Sequence, residues 1–164
     1  MSRPKIRIQP TTVDWAFEIV GLLGIIITIG FTLTWYNDLP DTIPRHYNVI
    51  GQPDGFSGKS ILFTLTAIPI VTYLILTVGL RFPHIFNYPF EITDENAERQ
   101  YKNATLMIRV VRIFLVLIFG YLTYATIKNG LGEMRGLGAW FTPVTLTSVL
   151  GTVGYFMYQA FKLR

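Results

Sequence analysis

Carboxylates and an imidazole gather in one short stretch, Asn37 to Ser60, which reads NDLPDTIPRHYNVIGQPDGFSGKS. Asp41, His46 and Asp54, with Asp38 nearby, are residue types that can hold a divalent cation or pass a proton. A zinc hydrolase usually supplies two histidines at helical spacing, and this sequence has no such pair. The second histidine, His84, lies on a different connection. The simpler expectation is that Asp41 and Asp54 cap turns while His46 and Asn48 hydrogen-bond the loop backbone. Other chemistries find less material. There is no cysteine, which removes thiolate catalysis and Cys-ligated metal sites. Ser57 sits beside Gly58 in a polar turn rather than a strand-to-helix elbow, and no Gly-rich phosphate loop is present. No catalytic set, metal or cofactor is expected.

The elements that must position these residues follow from composition. Of the 164 residues, 51% are hydrophobic and 15% charged, against roughly 25% charged in ordinary soluble domains. Mean hydropathy is +0.41. So few charges would leave a water-soluble fold of this size poorly covered, and 15% aromatic content excludes a disordered chain. Four apolar stretches are long enough to cross a hydrocarbon core: Trp15–Tyr36, Ile61–Leu80, Leu106–Ile127 and Ala139–Phe161. Backbone groups in lipid must be satisfied within the segment, and no ten-residue alternation suggests a barrel. The expected fold is an all-α membrane protein of four transmembrane helices, one domain over 1–164. It divides into a helical hairpin over 15–80, carrying the loop 37–60, and a second over 94–161. The first span is too long for a cleavable leader and runs into Asn37-Asp38-Leu39-Pro40, so it reads as an anchor.

Orientation follows from Lys and Arg near the span ends. The N-terminal tail, the second connection with the start of the third span, and the C-terminal tail hold ten of the 14 cations; the other two connections hold Arg45, Lys59, Lys128 and Arg135. The count predicts both termini in the cytoplasm of a bacterial cell and the loop 37–60 outside. It also accounts for the basic pI of about 9.4 without nucleic acid. Arg109 and Arg112 are expected to snorkel to headgroups, and Glu18 to be an interfacial carboxylate paired with a basic neighbour. No charged pair is expected deep in a span, which leaves ion transport little support. Pro69 and Pro143 are expected to kink their helices. Gly24, Thr28 and Thr32, and likewise Thr147 and Gly151, form small faces on which helices can approach. Thr93 or Asp94 can cap a cytoplasmic extension of the third helix, with Glu95–Arg99 and Glu98–Lys102 at i, i+4.

Within the loop, Pro40, Pro44 and Pro53 disfavour helix, while Pro53-Asp54-Gly55 and Asn48 to Gly51 have turn chemistry. Leu39, Ile43, Ile50 and Phe56 can tuck against the helix ends or the bilayer. The ordered positions Trp35, Leu39-Pro40-Asp41, Ile43-Pro44, His46-Tyr47-Asn48, Gly51, Pro53-Asp54-Gly55 and Lys59 resemble a bacterial membrane domain family of unknown function. That family is found at the N-terminus of SdpI-type immunity proteins, and the resemblance covers about residues 15–80. It implies a multispan protein that protects a bacterium from a secreted antimicrobial peptide and signals to a cytoplasmic regulator. SdpI-type proteins are longer and carry a second domain, so the activity is not carried over with the motif.

Two function classes stand. One is a non-enzymatic membrane module whose outer loop, through Asp41, His46, Asn48 and Asp54, recognises a ligand. The other is a small metal-dependent enzyme or transporter acting at the outer interface. The lipid bilayer is a partner in either case.

Overall fold

The computed structural model describes residues 3–164. Its four long helices are α1 (Thr12–Trp35), α2 (Ile61–Gly79), α3 (Ala97–Gly130) and α4 (Phe141–Lys162). A two-stranded antiparallel hairpin, β1 (Thr42–Tyr47) and β2 (Pro53–Gly58), lies between α1 and α2, and a 3-10 turn at Pro83–Ile85 follows α2. The expected all-α fold therefore gains a small sheet.

The helices run up and down, so their connections fall at two ends. The hairpin and the 131–140 connection share one end, joined where the Leu137 amide donates to the Gly51 carbonyl at 2.7 Å. The N-terminal strap, the 80–96 connection and the C-terminus share the other, where Tyr101 Oη donates to the Pro4 carbonyl at 2.9 Å and Gln100 Nε2 to the Ala160 carbonyl at 2.9 Å. Helix α3 is the hub: α1, α2 and α4 all pack against it. Its first turns carry the Glu98–Lys102 pair at 2.6 Å, as the i, i+4 spacing predicts. Glu95 lies ahead of the helix, which begins at Ala97, so Glu95–Arg99 does not form. Asn96 shapes that start by accepting the Thr93 amide at 3.0 Å.

Helices α1, α2 and α3 are long and apolar enough to cross a membrane. Leu33 is 66% exposed and Ile75 64%, an arrangement stable only against lipid or another apolar surface. Helix α4, expected as a fourth span, is not apolar enough: Thr142, Thr145, Thr147, Ser148, Thr152 and Gln159 dilute its valines and leucines. The α1 small face behaves as expected. A side chain at Gly24 would meet Val116, one at Gly120 would meet Thr28, and Thr32 touches Thr66 hydroxyl to hydroxyl at 2.5 Å. The α4 face does not, since Thr147 and Gly151 are exposed and a side chain added at Gly151 would meet no neighbouring element within 4 Å. Pro143 also departs from expectation. It sits in the first turn of α4, where its missing N–H has no helical partner, so it starts the helix instead of bending it.

The hairpin is docked by its own sequence. Leu39 and Ile43 are buried with Leu62 and Ile127, and Gly130 gives Ile43 room by lacking a side chain. Lys59 N–H donates to Asp41 O at 3.0 Å, and antiparallel alternation then makes Ile43–Ser57 a bonded pair and Pro44–Phe56 an unbonded one. Pro44 thus costs the ladder no hydrogen bond. Ile50 and Phe56, also candidates for tucking in, are 56% and 57% exposed. The turn is Asn48–Gln52, and Gly51 supplies its positive φ of 79°. Pro53-Asp54-Gly55, which also had turn chemistry, lies in β2 instead. Gly55 has no positive φ; a side chain there would crowd His46 Cβ at 3.1 Å.

Candidate functional site

Most of the hairpin motif is spent on building and seating the hairpin. Asn48 Oδ1 accepts the Ile50 amide at 3.1 Å and the Gln52 amide at 3.0 Å, the backbone-binding role expected of it. Tyr47 Oη meets Thr126 Oγ1 at 3.1 Å, and burial pushes its phenol pKa up, keeping it a neutral hydrogen-bonding group. Lys59 Nζ donates to the Leu39 carbonyl at 3.1 Å and lies over the Tyr36 ring.

His46 and Asp54 are different. A register shift leaves Arg45 unpaired between Pro44 and His46, and His46 Nδ1 lies 2.5 Å from Asp54 Oδ1. Neither residue binds the loop backbone or caps a turn, which corrects the expectation for both. Their side chains are 70% and 42% exposed, so the pair contributes little to stability. Asp41, at the far end of β1, is exposed. Five residue steps separate it from His46, roughly 16 Å at the usual rise. The four candidates therefore do not converge: His46 and Asp54 meet, Asn48 is consumed by the turn, and Asp41 stands apart. Among the described residues no three His, Asp or Glu side chains come together as a metal site would need.

A second polar constellation sits near the opposite end, inside the helices. Arg112 is 1% exposed. Its Nη2 donates to Glu18 Oε1 at 2.5 Å and its Nη1 to Thr77 Oγ1 at 2.5 Å, with the guanidinium 4.1 Å from the Tyr73 ring centre. Arg109 Nη1 donates to the same Glu18 oxygen at 2.7 Å. Arg109 Nε lies 2.7 Å from Asp14 Oδ1, an ion contact without hydrogen-bond alignment. Tyr73 Oη donates to Glu18 Oε2 at 2.7 Å. Tyr73 reaches α1 because Gly21 is bare; a side chain there would strike its ring. Asp14 also closes the α1 capping box with Thr11.

This cluster corrects two expectations. The arginines do not snorkel outward, and charged pairs do occur inside the helical bundle, with Glu18 about 9 Å along α1 from its start. The expectation that Glu18 pairs with a basic neighbour holds. Two carboxylates face two guanidiniums, every carboxylate is engaged, and the set joins α1, α2 and α3. Its chemistry is that of a clasp. The sequence carried the signal in Asp14/Glu18 at i, i+4 and Arg109/Arg112 at i, i+3, each pair on one helix face.

Comparison with known proteins locates the hairpin within a wider group. A protein of Archaeoglobus fulgidus described as uncharacterized is 32% identical over 78 residues, spanning 43% of this chain and 43% of that protein. The match thus covers less than half of the archaeal protein's length. No solved structure matches the chain. Residues 23–72, from within α1 through the hairpin into α2, match the model of the domain of unknown function DUF1648, and the motif from Trp35 to Lys59 lies inside the matched segment.

Proposed function

We propose that this membrane-embedded chain is a non-enzymatic recognition module, akin to SdpI-type immunity proteins, whose hairpin end binds a ligand outside the cytoplasm. One observation carries the reading. Residues of the motif anchor the hairpin to the helix ends, whereas His46, Asp54 and Asp41 take no part in that anchoring and stay exposed. Rigid presentation of polar groups lowers the ordering cost of binding. In this reading the four helices form one unit in a bacterial cell membrane. The ligand is a secreted antimicrobial peptide, and the 94–102 segment, with its exposed Glu98–Lys102 pair, faces a cytoplasmic regulator.

Orientation is tested with single cysteines, since the chain has none of its own. Ser57→Cys in β2 is expected to react with a membrane-impermeant thiol reagent on intact cells, and Asn96→Cys to react only after lysis. The reverse pattern overturns the orientation. Function is tested by expressing the protein in a bacterium sensitive to candidate peptide toxins and scoring survival. Asp41→Ala and His46→Ala, at wild-type abundance in the membrane, are expected to lose the protection. Survival unchanged by both substitutions assigns the hairpin a scaffold role instead.

A further inference from the structure

The hairpin does not lie alone at its end of the molecule. The connection after α3 rises beside it and returns to its tip, and the two flank an open cleft of about 510 Å³. One wall carries Pro44, Pro53 and Phe56 of the hairpin; the other carries Met134 and Arg135. Both walls are held. Asn129 fastens the 129–136 wall through its own side chain, donating to the Ala125 carbonyl at 2.7 Å and the Gly136 carbonyl at 3.1 Å while accepting the Gly136 amide at 2.5 Å. The Leu137 amide ties the end of that wall to Gly51.

The charges in and around the cleft are unequally employed. Lys128 is paired with Glu133 at 2.7 Å, which also occupies the one acid of the connection. Lys59 is held by the Leu39 carbonyl. Arg135 is exposed and has no carboxylate within 4 Å among the described residues. An unpaired guanidinium therefore borders a lining in which Pro44, Pro53, Met134 and the exposed Phe56 alternate with the polar Thr42, Gln52 and Asn129. Guanidinium binds carboxylate through paired N–H donors, and the proline, phenylalanine and methionine side chains offer apolar contact to a group beside it.

We infer that this cleft is a binding site for an apolar chain end bearing an anionic group, with Arg135 holding the anion and Pro44, Phe56 and Met134 the apolar part. The inference rests on the reading of the hairpin end as a recognition surface and adds the chemistry of what is recognised. Two sources share that chemistry, the C-terminal carboxylate of a peptide and the carboxylate of an acyl chain.

The test is calorimetric titration of the full chain in lipid nanodiscs with three probes: N-acetyl-Leu-Phe as the free acid, the same dipeptide as its amide, and octanoate. Saturable binding of the free acid, weakened about tenfold or more by amidation and by Arg135→Ala, is the expected result for a peptide terminus. Binding of octanoate with the same Arg135 dependence, and none by the dipeptide acid, assigns the acyl source. Arg135 lies on an exposed connection, so the variant is expected to keep the parent melting profile, and Arg135→Lys to recover part of the affinity. Equal binding of acid and amide, binding indifferent to Arg135→Ala, or no saturable binding of any probe overturns the inference. The Asp41 and His46 survival results would stand or fall separately, because neither residue lines this cleft.

Discussion

Glu18→Gln is expected to destabilise the protein by about 3–5 kcal/mol, the usual cost of stripping a buried ion of its partner. Arg112 would lose its charge partner and keep a neutral amide oxygen, the Thr77 hydroxyl and the Tyr73 ring, at a site where it is 1% exposed. Arg112→Met is expected to cost less. Glu18 would still hold Arg109 at 2.7 Å and the Tyr73 hydroxyl at 2.7 Å, and its side chain is 20% exposed. Glu18→Gln with Arg112→Met should recover most of the loss, because no unpaired guanidinium remains. Thermal unfolding in detergent, read as the midpoint of each variant against the parent, orders the four proteins. If Glu18→Gln melts no lower than Arg112→Met, the cluster is not the clasp described.

Gly136→Ala is expected to cost on the order of 3 kcal/mol. Two effects combine. Its φ of 94° is unfavourable for any residue with a side chain. A Cβ there would also run into the Gly51 carbonyl, a backbone atom that cannot swing aside as a side chain can. Gly132→Ala is the matched comparison. It shares the positive φ, 77°, but nothing lies within 4 Å of its would-be Cβ, so only the conformational cost of about 1 kcal/mol applies. Thermal midpoints of the two variants separate the terms. Equal midpoints would mean that the 131–140 connection does not bear on the hairpin tip.

The helices were legible because their signal is local. A run of apolar residues long enough to cross lipid needs no tertiary knowledge, and three of the four expected spans are long and apolar enough on that ground. The fourth was misjudged by length alone: α4 is helical over Phe141–Lys162, but its threonines and glutamine keep it below the apolarity of the other three. The hairpin was half legible. Prolines excluded helix and Asn48 marked a turn, but Pro53-Asp54-Gly55 offered an equally good turn two residues later. Only the pairing of β1 with β2 chose between them, since with the turn at Asn48–Gln52, Ile43 faces Gly130 and Ile127.

Residue types and their spacing thus determined by themselves that the chain is apolar and helical, that the loop is bent, and that its chemistry-bearing groups are few. What those groups do was decided in three dimensions. Glu18 and Arg112 stand 94 residues apart, and a lone arginine entering an apolar run reads as one reaching for headgroups. It turns inward because a carboxylate on another helix, at the same depth, offers more than the lipid surface does. Asp54 read as a turn cap and His46 as a partner of the loop backbone until a register shift set them side by side. Arg135 gained meaning only from where its connection folds, for a charge has no partner or lack of one until the neighbouring strands are in place. Helix and turn preferences act over a few residues, whereas ion pairing and cleft formation depend on contacts between segments that the sequence holds far apart.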